Sequence, residues 1–235
     1  MIFRSGYFRK LLSLTLVILF PGSLLAEPEA ETILTAARVN PMGAKTGLSA
    51  QLRSDAKTTP FQILVDGSIR YVFENPSQEL ILRLEDNAPI LSEQLGGETE
   101  PVRRARFDEL IRDTGITYED LALRFLYWKN PVLLGEDVLR TRGAWKIEIQ
   151  AGQDSSQYGV ARVWIDQESG AILRMEGYDR EGLLRRRFEV ISAQKIDGQW
   201  MLKQMRVETF DPSTKKIVNR TYLEILDHLP TDDSQ

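Results

Sequence analysis

The sequence predicts a mostly β domain of the α+β class: an incomplete antiparallel β-barrel, built as a strongly curved sheet, with an N-terminal helix and further helices inserted midway. Three observations predict it. Ten or so short segments of alternating or apolar residues are separated by tight turns, a helical pattern precedes them, and two more helical patterns interrupt them. A sheet of that many strands curls towards a barrel, and the inserted helices would cover its open side.

Residues 1–26 have the pattern of a signal peptide. Three basic residues, the last of them Lys10, precede the apolar stretch 11–20, and Pro21-Gly22 and Ala26 follow it. We therefore expect cleavage after Ala26 and export to the periplasm. A retained membrane anchor is the alternative, although an anchor needs roughly 20 apolar residues.

Composition excludes several classes of function. The chain has 30 basic and 34 acidic side chains, and removal of residues 1–26 leaves 27 and 34, a net charge of −7. This balance does not indicate nucleic-acid binding. The absence of cysteine excludes disulfides, thiolate metal sites, a cysteine nucleophile and a lipid-modified N-terminal cysteine. No linker divides residues 27–235, which favours one domain over two small ones and, as the simplest state, a monomer.

The first elements of the mature chain are a helix and a hairpin. Residues 27–39 place acids in the first turn and put Ala30, Ile33, Leu34 and Ala37 on one face, which predicts a helix that lies on a sheet. Phe61–Val65 and Ile69–Phe73 flank Asp66-Gly67, a pair typical of a type I′ turn. Further strands are predicted at the following positions: 47–53, 79–84, 89–93, 132–139, 144–150, 159–165, 171–178, 183–192, 200–210 and 217–226.

Two helices are predicted between the β regions. Residues 104–112 have helical spacing, and Thr117 with Asp120 forms a capping pattern that opens a second helix running to Trp128. The single histidine, His228, lies in what we expect to be a polar tail, which argues against a catalytic base. Neither a metal nor another cofactor is predicted.

Apolar side chains at alternating positions of the late strands are the candidates for a ligand-binding cavity. They are Val163, Ile165, Leu173, Met175, Met201, Met205 and Val207. Ordinary core packing is the alternative for each residue taken alone. The basic run Arg185-Arg186-Arg187 could meet lipid headgroups or an acidic partner, or could form cross-strand ion pairs, because consecutive strand residues point to opposite faces.

The C-terminal half resembles the outer-membrane lipoprotein-sorting family, the LolA-like proteins. The resemblance covers residues 116–226 and is strongest over Tyr158–Asp166, Glu168–Asp179 and Lys195–Thr209. It implies an incomplete β-barrel with a helical lid over an apolar cavity, and it brings no catalytic residues. The lid would be formed by residues 104–128, with Leu121, Phe125 and Trp128 as its apolar contacts.

The resemblance implies a periplasmic carrier or chaperone that binds lipoprotein acyl chains or another lipid. An inner-membrane exporter and an outer-membrane receptor would then be its partners. A non-enzymatic interaction or stress-sensing module on the same fold is the alternative. A hydrolase is the third hypothesis, and it would require a pocket that holds a carboxylate of raised pKa.

Overall fold

A computed structural model describes residues 28–39, 45–55, 57–153, 156–196 and 199–229 of the chain. The predicted signal peptide and the predicted Asp197-Gly198 turn lie outside these residues. Within them the chain forms one antiparallel sheet of thirteen strands, preceded by a helix and interrupted once by short helical turns.

The helices and strands have the following bounds: α1 Ala30–Val39, β1 Thr46–Ser54, β2 Thr58–Val65, β3 Ile69–Phe73, β4 Gln78–Leu84, β5 Pro89–Leu95, β6 Glu98–Pro101, α2 Tyr118–Ala122, β7 Val132–Leu139, β8 Arg142–Gln150, β9 Val160–Asp166, β10 Ile172–Tyr178, β11 Leu184–Ile196, β12 Gln199–Phe210 and β13 Ile217–Leu229. Two 3-10 turns, Arg104–Arg106 and Arg124–Tyr127, lie on either side of α2.

The sheet consists of two meanders joined at one long-range pair of strands. Its order is β6-β5-β4-β3-β2-β1-β13-β12-β11-β10-β9-β8-β7, so that β1 pairs with β13 and every other pair is adjacent in sequence. The register places Leu52 opposite Leu223 at this junction. Strands β6 and β7 are the two edges, and the sheet is not closed between them. This architecture confirms the predicted incomplete barrel.

The hairpin of β2 and β3 forms where the alternation predicts it, but its turn differs. Val65 pairs with Ile69, which leaves a three-residue loop, and the amide of Asp66 donates to the carbonyl of Ser68 over 3.1 Å. Gly67 alone in this loop has a positive φ, of 87°, so the predicted two-residue type I′ turn is wrong.

Helix α1 covers one half of the inner face of the sheet, as its apolar stripe predicts. Ala30, Ile33, Leu34 and Ala37 are all buried and pack with side chains from β8, β9 and β10. The guanidinium of Arg38 donates from Nε to the carbonyl oxygen of Leu126 over 2.8 Å. The helix is therefore fixed both to the sheet and to the inserted segment.

The segment inserted between β6 and β7, residues 102–131, is less helical than its sequence pattern predicts. The helix expected over 104–112 is a single 3-10 turn, because Leu110 forms an isolated bridge with Thr117 instead of continuing the helix. Arg112 and Asp113 then have φ values of 50° and 57°, outside the right-handed region. The segment then folds back, and the amide of Ile111 donates to the carbonyl of Ile116 over 2.7 Å.

The second inserted helix begins where it is predicted and ends early. Thr117 and Asp120 form the capping box at the start of α2. Leu123 takes a left-handed φ of 51°, which ends the α-helix, and the chain continues as the 3-10 turn Arg124–Tyr127. The expected continuous helix to Trp128 is therefore two short turns of different type.

Two further differences concern strands. Strand β6 has no counterpart in the sequence prediction, because its residues are polar and all exposed. His228 lies within β13 opposite Leu48 rather than in a tail, and its Nε2 is 2.9 Å from Oγ1 of Thr46.

Candidate functional site

An apolar cleft opens at the end of the sheet where strands β10 and β11 separate. Their pairing stops at Arg174 and Glu189, and each strand has an extra, bulged residue near this point: Leu173 in β10 and Ile191 in β11. A bulge leaves one residue unpaired and bends its strand. The cleft between the separated strands has a volume of about 430 Å³.

The hairpin of β11 and β12 forms the far wall of this cleft. Strand β12 pairs with β13 only as far as Gln204, opposite Glu224. The hairpin therefore extends beyond both of its neighbours in the sheet. Trp200 lines the cleft at the outer end of the hairpin, and 66% of its surface is exposed.

The walls of the cleft are mainly apolar and come from five strands and two turns. The apolar lining consists of Leu139, Ala171, Ile172, Leu173, Val190, Ile191, Ala193, Trp200, Met201, Leu202 and Met205. The polar lining consists of Arg140, Arg142, Ser169, Glu189 and Ser192.

The structure separates the seven predicted cavity residues into two groups. Leu173, Met201 and Met205 line the cleft. The other four are buried in the core, where Val163, Ile165 and Met175 pack beneath α1 and Val207 packs with β1 and β13. The same strand alternation thus places residues in the cleft and in the core.

The three predicted lid residues lie on the inner face of the sheet. Phe125 and Trp128 are buried with α1 and the C-terminal strands, and Leu121 packs against the N-terminal strands. Only a small space of about 10 Å³ remains between Leu121 and the aromatic rings of Phe61, Tyr71 and Phe73. The side chains of the inserted segment therefore pack against both halves of the inner face.

Buried polar contacts hold the inserted segment in this position. Nη1 of Arg186 in β11 lies 3.2 Å from Oδ2 of Asp120, and the hydroxyl of Tyr158 donates to Oδ1 of Asp120 over 2.6 Å. Beside them, Arg124 and Glu119 form a second buried pair at 2.9 Å. Burial raises the pKa of Glu119 above its ordinary value, although the charge of Arg124 opposes this effect.

Residues Arg185, Arg186 and Arg187 divide between the two faces of the sheet, as strand geometry predicts. Arg186 points inward to Asp120. On the outer face, Nε of Arg187 lies 2.8 Å from Oε1 of Glu176, and Arg185 lies 3.6 Å from Asp179. All three side chains therefore take part in ion pairs within the protein.

One carboxylate beside the cleft is shared by three guanidinium groups. Oxygens of Glu189 lie 3.3 Å from Arg140, 3.2 Å from Arg174 and 3.1 Å from Arg206. Burial of Glu189 raises its pKa, but the three arginines outweigh this effect and hold the pKa below its ordinary value. Glu189 is therefore ionised at neutral pH, and of its three arginines Arg206 is shared with a second carboxylate, that of Glu208, at 3.3 Å.

Neither a cluster of metal-ligating side chains nor an apolar helix of membrane length occurs in the part of the chain that the structure describes. Among those residues no group of three or more His, Asp or Glu side chains is placed to hold a metal ion. None of the helices there has the length and hydropathy needed to cross a bilayer.

Most of the cleft-lining residues cannot be identified from the sequence alone. Alternation identifies Leu173, Met201 and Met205 as apolar strand residues, but it does not show where neighbouring strands stop pairing. The two bulged residues, of which only Leu173 is a predicted site residue, define the cleft. No signal in the sequence distinguishes a bulge from regular strand at Ile191.

An open, curved antiparallel sheet with a helix and an inserted segment on its inner face defines the LolA-like fold. The chain is similar in structure to a proposed outer membrane lipoprotein-sorting protein domain from Vibrio parahaemolyticus, with a TM-score of 0.68, 15% identity and coverage of 88% of this chain and 95% of that one. A DUF1329 family protein from Desulfovibrio piger gives a TM-score of 0.65 at 16% identity, covering 87% and 94%. A LolA superfamily protein from Nitrosomonas europaea gives 0.61 at 17%, covering 88% and 95%.

The sequence itself matches a family model over residues 99–232, which is more than half of the chain. The chain belongs to this family, whose description is "uncharacterized protein". Among curated protein sequences, no relative matches the chain.

Proposed function

We propose that the protein is a non-enzymatic carrier of the bacterial envelope that binds an acyl chain in the cleft between β10 and β11. The observation that carries this proposal is the 430 Å³ apolar cleft at the point where two bulges separate the strands. Its volume falls in the lower part of the range of about 300–1,000 Å³ for small-ligand sites. We therefore propose that the cleft holds one acyl chain at a time rather than several.

The lining supports an alkyl ligand in particular. Met201 and Met205 are unbranched and adapt to a mobile chain, and Leu173 and Ile191 supply branched apolar surface. Affinity would come from burial of apolar area, at about 25 cal/mol per Å² before the costs of ordering. The lipoprotein-sorting description of the Vibrio parahaemolyticus domain is the reason to name lipoprotein acyl chains as the cargo. Export to the periplasm follows from the signal-peptide pattern and is part of the proposal.

A charge placed in the cleft tests the proposal. We expect Leu173→Glu and Met201→Glu to weaken binding of an uncharged fluorescent acyl probe, the methyl ester of cis-parinaric acid, on the order of tenfold or more, because a carboxylate replaces apolar surface. Unfolding in urea should change little for Leu173→Glu, whose side chain is half-buried and outside both core clusters, and more for Met201→Glu, because Met201 also packs against the N-terminal core. Fluorescence titration and urea denaturation measure the two effects.

Two variants serve as controls. Val218→Glu places the same charge on an exposed apolar residue at the opposite end of the sheet and should leave binding unchanged. Met175→Glu places it in the core under α1 and should reduce stability first. Unchanged binding by the Leu173 and Met201 variants would contradict the proposed site.

Native mass spectrometry identifies the cargo. The protein is purified gently from the periplasm and its mass is recorded before and after solvent extraction. A removable, acyl-containing mass of several hundred daltons would support the carrier. A bare polypeptide mass that takes up no added acyl probe would contradict it.

The edge strand β7 supports a second candidate function, an interaction module that binds an envelope protein. Val132, Leu134 and Val138 along this edge are exposed apolar residues. An extended peptide could add to such an edge through main-chain hydrogen bonds. Photo-crosslinking from position 134 in cells distinguishes the two functions: one persistent protein partner favours the module, and cargo lipoproteins cross-linked from position 173 favour the carrier.

A further inference from the structure

We propose that the ligand of the cleft has a negatively charged polar end and that Arg140 binds this end. The inference rests on the proposed function, since it assumes that an acyl chain occupies the apolar part of the cleft. The ligand would then be an anionic amphiphile, either a fatty acid or an acidic phospholipid, and not a neutral lipid.

The position of Arg140 is the first argument. The residue lies in the turn between β7 and β8, and both it and Glu189 line the cleft. Apolar residues of β10, β11 and β12 form the remainder of the wall. A chain that lies along those strands therefore has its polar end within reach of this guanidinium.

The ion pairs around Glu189 are the second argument. Arg140 is the most exposed of the three arginines, with 55% of its side chain accessible against 23% for Arg174 and 26% for Arg206. Its contact of 3.3 Å is also the longest of the three. If Arg140 turns to a ligand, Glu189 keeps two partners and no buried charge is left unpaired.

The other arginine of the cleft does not offer the same possibility. Arg142 donates from Nε to Oδ2 of Asp166 over 2.5 Å and from Nη2 to Oδ1 over 2.7 Å. Glu168 lies a further 3.0 Å from its Nη2. Two carboxylates thus already compensate the charge of Arg142, whereas Arg140 shares the single carboxylate of Glu189 with two other arginines.

The chemistry of the guanidinium defines the class of ligand. A guanidinium binds a carboxylate or a phosphate through two parallel hydrogen bonds, and such charge-assisted bonds are stronger than neutral ones. An ester or an alcohol offers no charge to compensate Arg140. Selectivity for acids over esters of the same chain is therefore the signature of this site.

The test compares cis-parinaric acid with its methyl ester by fluorescence titration of the full mature chain. We expect the acid to bind on the order of tenfold more tightly than the ester at pH 7.5. Arg140→Gln should remove this preference by weakening binding of the acid much more than binding of the ester, and Arg140→Lys should restore part of it. Circular dichroism and thermal unfolding show that the variants fold.

Arg220→Gln is the matched control. Arg220 is also partly exposed and pairs with a glutamate of the outer face, but it lies near the opposite end of the sheet. It should keep the preference for the acid. Competition of the bound acid by phosphatidylglycerol, with phosphatidylcholine as its zwitterionic counterpart, then distinguishes a phospholipid source from a free fatty acid.

The outcomes separate this inference from the proposed function. Equal affinity for acid and ester, or a preference that survives in Arg140→Gln, would overturn the role of Arg140 and leave acyl binding intact. Failure of both probes to bind would overturn the carrier function together with the inference. Loss of ester binding in Arg140→Gln would show that the residue shapes the cleft and does not select charge.

Discussion

Arg186 of β11 and Asp120 of α2 form an ion pair 3.2 Å long on the inner face of the sheet, and both side chains are buried. Arg186 also donates to the carbonyl of Gly115, so a single side chain of the sheet contacts the inserted segment at two places. The segment that we predicted to be a lid is thus fixed to the sheet by a buried ion pair. Its release from the sheet would expose that charge and the apolar residues around it.

Loss of this pair should destabilise the fold strongly. We expect Arg186→Met to lower the free energy of unfolding by about 3–5 kcal/mol, because Asp120 remains buried without its partner. Arg185→Met, next to it on the outer face, should cost at most about 1 kcal/mol, since Arg185 is exposed and its contact with Asp179 is 3.6 Å long. Urea denaturation of both variants measures the difference. Equal losses of unfolding free energy would show that the pair on the inner face contributes no more to stability than the pair on the outer face.

Helix α1 depends on one fully buried side chain. Leu34→Ala should lower the free energy of unfolding by about 2–5 kcal/mol, because it leaves a cavity between the helix and the sheet. Thr32→Ala, at an exposed position of the same helix, should change it by less than about 0.5 kcal/mol. Chemical denaturation gives both values. A small effect of Leu34→Ala would mean that the helix contributes little to the stability of the sheet.

Gly177 of β10 lies directly against the ring of Tyr158. A Cβ at this position would be 2.5 Å from Cε1 of the ring, so Gly177→Ala should cost about 1–3 kcal/mol. In a double-mutant cycle with Tyr158→Leu, the combined loss should be smaller than the sum of the two single losses, since the smaller side chain removes the clash. If the two losses of unfolding free energy simply add, the cost of Gly177→Ala does not come from a clash with Tyr158.

The stability of the protein should fall in acid as Asp166 is protonated. Hydrogen bonds from Arg142 and Ser169 lower the pKa of Asp166 to about 2, against an ordinary value of about 3.9. Because the folded-state pKa is the lower one, this contribution to stability is complete above pH ~4 and is lost as the pH falls towards 2.

The variant Arg142→Met tests this linkage. The difference in unfolding free energy between the wild type and the variant should be largest above pH ~4 and should shrink towards pH 2. Arg103→Met, an exposed arginine, should show no such dependence. Urea titrations between pH 2 and 7 follow the difference. A difference that is independent of pH would contradict the linkage.

The sequence pattern predicts the strands well because strand alternation is a local signal, whereas the turn between β2 and β3 differs from the predicted type. The hairpin between Phe61 and Phe73 and the apolar face of α1 follow from spacing alone. The prediction of a helix over 104–112 is wrong because helical spacing is an ambiguous signal. Helical spacing at Ile111 indicates only that the residue is buried, and a folded-back loop with two left-handed residues buries it equally well.

The cleft could be predicted only in part. Leu173 and Met175 share the same pattern, yet a bulge at Leu173 places it in the cleft while Met175 stays in regular pairing beneath α1. Where two strands stop pairing depends on all the residues that the strands contact, and no single segment encodes it. The contact between Arg140 and Glu189 could not be predicted for the same reason, because the two residues are distant in sequence.

The junction of β1 with β13 has a consequence for how the chain reaches its fold. It is the one pairing in the sheet that brings together residues about 170 to 180 positions apart, so it has the largest single cost of loop closure. A circular permutant that begins at Val132 and joins β13 to the N-terminal elements by a linker would convert this junction into a local connection. All thirteen strands would then follow one another in sequence, and such a chain should fold faster than the natural one to the same sheet.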